Sequence, residues 1–130
     1  MMLAIDGNKL QPFARVPMWT HNCRPLADAM LYNSTNEDAI VLADRRGQVR
    51  RRFEIPKYDE SDLEQTDVPK DYARQGFGRG LCVSDDGLVI GGSSPSTVSA
   101  YDLKTAERLA SVQITRDVRN CPHGLEVWPF

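Results

Sequence analysis

Residues 97–114, TVSAYDLKTAERLASVQI, decide the fold. An apolar run closes on Asp102, the short polar turn Leu103-Lys104-Thr105 follows, and a second run continues to Ile114. A carboxylate at the end of a strand can accept hydrogen bonds from the N–H groups of the turn and so fix a hairpin. Two other stretches align on an aspartate in the same way. Leu3-Ala4-Ile5-Asp6 leads through Gly7-Asn8-Lys9 to a run ending near Val16, and Val41-Leu42-Ala43-Asp44 leads through Arg45-Arg46-Gly47 to one ending near Ile55.

A second series is interleaved with the first. Arg24-Pro25-Leu26, Arg79-Gly80-Leu81 and His123-Gly124-Leu125 each place a polar side chain, a small or rigid residue and then Leu at the head of a strand. Asn22-Cys23 and Asn120-Cys121 precede the first and third copies. Two series in the same order make an internal repeat, which points to a repeat architecture.

Helical periodicity is scarce. Eight prolines and nine glycines divide the chain into short apolar or alternating runs, the pattern of many short strands. Strands are expected over 2–5, 10–16, 26–32, 39–43, 48–55, 80–83, 88–91, 97–101, 108–114 and 125–128. The middle copy then has four strands and the first copy three. Asp85-Asp86-Gly87 makes a tight turn. The one long interruption, 56–75, is rich in Asp and Glu and reads as a solvated loop with a turn of helix near 61–65, of a length that often carries function.

The 130 residues fit one all-β domain, 1–130. A net charge of −2 gives no global field for a polyanion, so nucleic acid is not expected as a partner. No apolar run nears the roughly 20 residues of a membrane span. Asp6 and Lys9 interrupt what would be a signal-peptide core, and three cysteines without CxxC spacing suit a reducing compartment. A cytoplasmic location follows as the expectation.

The repeat resembles the blades of a β-propeller, in the broad sense shared by the NHL, SMP-30-like and WD-type groups. The likeness rests on His123-Gly124-Leu125, on Arg79-Gly80-Leu81 and on the hairpins at Asp44 and Asp102. No WD dipeptide or complete NHL signature accompanies it. The resemblance implies about three blades per chain, with one split between the chain ends. A ring of roughly 4–8 blades then needs association, and a homodimer closing six blades is the simplest solution.

In such a ring the starts of the inner strands face a central channel. The resemblance therefore makes Arg24, Arg79 and His123, with His21, Asn22 and Asn120 beside them, the candidate binding residues for a small anionic ligand. The bland alternative pairs these side chains with Asp28, Asp117 or Glu126, or with backbone carbonyls between blades. Function is expected to be non-enzymatic binding or interaction, without a cofactor. The competing expectation is a small SMP-30-like hydrolase or lyase using the same residues with Asp117 or Glu126. Metal binding by His21, His123, Cys23 and Cys121 is chemically feasible, but no ligand pair has recognised spacing. A Cys–His nucleophile is open at Cys23 with His21 or at Cys121 with His123. The glycine-rich run 76–80 lacks a P-loop lysine, and Arg50-Arg51-Arg52 is expected to decorate a sheet edge.

Overall fold

Strand, aspartate and polar turn recur in three dimensions as they do in sequence. A computed structural model of the chain describes residues 1–128, and their regular structure is ten antiparallel strands and one 3-10 turn at Glu60–Asp62. A hairpin joins β1 (Met2–Asp6) to β2 (Lys9–Ala14). The middle sheet is a meander of β3 (Thr20–Leu26), β4 (Ala29–Ser34), β5 (Ala39–Asp44) and β6 (Val49–Glu54). The far sheet repeats that order with β7 (Gly78–Val83), β8 (Leu88–Ser93), β9 (Thr97–Asp102) and β10 (Arg108–Gln113). Among the described residues no helix is long and apolar enough to cross a membrane.

The aspartates do what their position suggests. Asp44 Oδ1 accepts from the N–H groups of Arg46 and Gln48, both at 2.9 Å, and Asp102 Oδ1 accepts from Lys104 at 2.8 Å and Thr105 at 2.7 Å. Asp6 instead accepts from the Gln11 side chain. The N–H of Thr105, above all, holds the Asp102 carboxyl below its ordinary range. A depressed carboxyl contributes stability that is complete above the unfolded value of about 3.9 and lost as pH falls through the folded value. Urea midpoints of the wild type and Asp102→Ala should therefore differ at neutral pH and converge in acid; a gap that persists in acid would show that the carboxylate's charge is not what matters.

The three sheets stack. Leu31, Ile40, Leu42 and Phe53 on one face of the middle sheet pack against Leu81, Val89 and Tyr101 of the far sheet. Met30, Tyr32, Val41 and Ala43 on the other face pack against Phe13, Ala14 and Met2 of the hairpin. Covered on both sides, β4 and β5 read as nearly continuous apolar runs rather than alternating ones. Edge strand β6 carries Arg50 and Arg52, ion-paired with Asp28 and Glu37.

Two expectations need correction. The first copy has four strands, because the run expected at 26–32 is broken by a turn at Ala27, whose φ of 49° is left-handed. The strand expected at 125–128 is not formed; 121–128 has no regular structure and joins none of the three sheets. That segment is nonetheless seated. Gly80 N–H donates to Pro122 O at 2.8 Å. A Cβ at Gly80 would stand 2.9 Å from both Pro122 O and Leu125 Cγ, and one at Gly92 2.8 Å from Pro122 O. Both glycines are therefore required for the close approach. The loop at 56–75 is also anchored: Tyr58 and Gln75 exchange hydrogen bonds, and Glu64 pairs with the strand-like residue Asp117.

Candidate functional site

β7 is the edge of its sheet, so the outward carbonyls of the strand need donors from elsewhere. Side chains of the middle sheet supply them. Asn22 and Asn33 both donate through Nδ2 to Arg79 O at 3.1 Å, and Arg24 Nε donates to Leu81 O at 3.0 Å. These bonds hold the edge strands β3 and β7 side by side.

Strand pairing aligns the repeat differently from sequence. Ser34 and Ser93 end the second strands, and their partners on the first strands are Thr20 and Gly78. Counting one residue on from each places His21 level with Arg79. Arg24 is level with Cys82, whose partner is Ile90 as Arg24's is Leu31. The equivalence expected between Arg24 and Arg79 is therefore incorrect. Each first strand contains a bulge, after His21 in β3 and after Gly78 in β7, so the two run in step without a gap, and the match on Arg-x-Leu is displaced from that register by three residues.

The matched pair, His21 and Arg79, opens on one cavity of about 280 Å³. Trp19, Lys70, Arg74 and Phe77 also line it, and Asp71 is its only carboxylate among the described residues. Phe77 is buried and organises the cations: Arg74 Cζ lies 4.5 Å and Arg79 Cζ 5.3 Å from its ring centroid. Arg74 is fixed further by Thr35 O at 2.8 Å and by Asp38 at 2.5 Å. Arg79 has only a long contact to Thr35 Oγ1, at 3.5 Å, leaving most of its donors uncommitted. Burial, and then the positive charges of Arg79 and His123, push the His21 imidazole below its ordinary pKa. Its neutral form can donate and accept one hydrogen bond each.

The other sequence candidates fall outside this cavity. Arg24 lines a separate cleft and is committed to Leu81 O and to Glu126 at 3.2 Å, so the bland pairing holds for it. Asn22 is structural through its bond to Arg79 O. His123 is exposed, close enough to His21 for its charge to be felt there. Asn120 is exposed, and its N–H caps a turn onto Asp117 O. Asp117 is gripped by Arg119 through both carboxylate oxygens.

Neither thiol is primed for attack. Cys23 packs against the hairpin side of the middle sheet, and burial raises its pKa. Burial pushes Cys121 up to about 11, against the lowering effect of Arg79, and its Sγ donates to Phe77 O. Among the described residues no group of three or more His, Cys, Asp or Glu is placed to hold a metal ion.

Sequence reasoning missed Lys70 and Arg74, and read Trp19 as a core or subunit-contact residue before a ligand platform. The length of the loop at 56–75, and Arg74 just beyond its acidic part, were the available signals. No family model and no curated protein matches this chain.

Proposed function

We propose that this chain is a propeller-like binding protein that holds a small anion between His21, Lys70, Arg74 and Arg79. The cavity carries this reading. Lys70 and Arg79 line it beside the carboxylate of Asp71, while Arg74 is already paired with Asp38, and the two guanidiniums are pre-oriented on one ring. Pre-organisation of that kind lowers the cost of binding, and Arg grips planar oxyanions with two parallel bonds. Some 280 Å³ lies at the small end of ligand sites, which suits a carboxylate or phosphate rather than a polymer. The raised thiol pKa values favour binding over nucleophilic catalysis.

Calorimetric titration with acetate and with inorganic phosphate tests the reading. Arg79→Ala should weaken whichever anion binds by roughly thirty-fold, the value of about 2 kcal/mol for a charged hydrogen bond. Arg24→Gln should leave that affinity unchanged. Equal affinity for the wild type and Arg79→Ala would refute the site.

The second element of the proposal is closure by another copy into a six-bladed ring. The stack ends in two open apolar faces. The hairpin exposes Leu3, Ile5 and Leu10, and the far sheet exposes Val112 beside the half-buried Ile90 and Val98. The segment 121–128 lies over Gly80 and Gly92 on that same far face, where the first strand of a further sheet would begin. A partner's hairpin beside it completes a third unit, and twofold symmetry repeats the contact. Light scattering at micromolar concentration should give twice the chain mass.

A further inference from the structure

Trp19 is the feature of the cavity that anion binding leaves unexplained. It lines the same space as Arg79 and Arg74, yet the residue is 63% exposed. Its backbone sits at φ 62°, a left-handed conformation in which bulky residues are genuine outliers. Strain of that kind is held only where the surroundings impose it; five other described non-glycine residues, Ala27 among them, also have a positive φ. Here the surroundings are visible: Thr35 N–H donates to Trp19 O, and Thr20 Oγ1 donates to Pro17 O, locking the turn. An indole held over water at the rim of a cationic cavity gains nothing from the fold's own core.

We propose that the ligand of this cavity carries an aromatic ring beside its oxyanion, and that Trp19 stacks on that ring while Arg79 holds the charge. This rests on the anion-binding reading and narrows it to aryl carboxylates. The chemistry is complementary on both sides. The rings of Trp19 and Phe77 make the cavity part apolar, and Arg74 and Arg79 already occupy the Phe77 ring. Trp19 is thus the aromatic surface left for a ligand. Tryptophan presents a large rigid face at small entropic cost, and an offset or edge-on ring pair adds affinity beyond the area it buries.

The test compares three probes on the whole chain: phenylacetate, acetate, and phenylacetamide, which keeps the ring but has no charge. Phenylacetate should bind about ten-fold more tightly than acetate, and phenylacetamide should bind more weakly than phenylacetate. Trp19→Gly accepts the left-handed backbone without strain, so it isolates the side chain. It should remove the preference for phenylacetate over acetate, and Trp19→Phe should restore most of it. In a Trp128→Phe background, phenylacetate should perturb the fluorescence of Trp19, the remaining indole. Acetate and phenylacetate binding equally, and both weakened by Arg79→Ala, would overturn the aromatic assignment and leave the anion site standing. No binding by either carboxylate or by phosphate would overturn both.

Discussion

Phe53→Ala should cost about 3–5 kcal/mol, the range for removing a buried aromatic ring. That is a large share of the roughly 5–15 kcal/mol that separates folded from unfolded domains. Phe53 lies on β6, an edge strand, yet its side chain is fully buried. The reason is the stacking of sheets. Its ring meets Tyr101 edge to face at 5.8 Å, and the Tyr101 hydroxyl donates back across the interface to Glu54 O at 3.0 Å. One aromatic pair thus joins the outer halves of two sheets, as Asn22, Asn33 and Arg24 join their inner edges. Tyr101→Phe keeps the ring and removes only the hydrogen bond, so it should cost about 1 kcal/mol. Urea denaturation of both variants measures the two values. A loss below about 1 kcal/mol for Phe53→Ala would mean that the sheets can close over the gap and are not rigidly apposed.

Much of this arrangement is legible in the chain, because its causes are local. Asp44 and Asp102 announce their hairpins, since a strand-end carboxylate and the turn it caps are neighbours in sequence. β3 is harder to see. Thr20–Leu26 has no alternation, contains Pro25, and is tolerated as a strand only because it is an edge. The turn that follows is formed by Ala27, a residue that carries no turn signal. Leu125-Glu126-Val127-Trp128 errs in the other direction: it alternates like a strand, but alternation does not supply a partner edge.

The site divides along the same line. Arg79 was recognisable as a strand-start residue, and His21 only as a neighbour of one. Their meeting depends on the apposition of β3 and β7 from different sheets, tied by Asn22 and Arg24 to β7 carbonyls, which no local pattern announces. Lys70 and Arg74 come from a loop whose path is fixed by tertiary bonds, Tyr58 to Gln75 and Arg74 to Thr35 O among them. Such bonds span the fold and leave no local pattern. Arg24 misled for the opposite reason. A conspicuous charge next to a matching Leu invited alignment with Arg79, whereas its guanidinium ties β3 to β7 and to Glu126.

Ile5→Lys and Val112→Lys should each convert the proposed dimer to a monomer. Ile5 is 79% exposed on the outward side of the hairpin and Val112 63% exposed on the far sheet, at opposite ends of the stack. In a twofold ring each substitution appears at both contacts. An unpaired charge confined in an apolar contact costs at least about 3 kcal/mol, so two cost about 6 and weaken association more than ten-thousand-fold. Val49→Lys is the matched control. It adds the same charge to a 40% exposed valine, but on β6 of the middle sheet, whose faces are already covered within the chain. That variant should remain dimeric. The pattern across the three variants distinguishes ring closure from its rivals. Pairing through one face alone, hairpin to hairpin for example, leaves either Ile5→Lys or Val112→Lys dimeric. Only a head-to-tail contact makes both ends of the stack indispensable, and sedimentation of the four proteins at matched concentration reads the outcome directly.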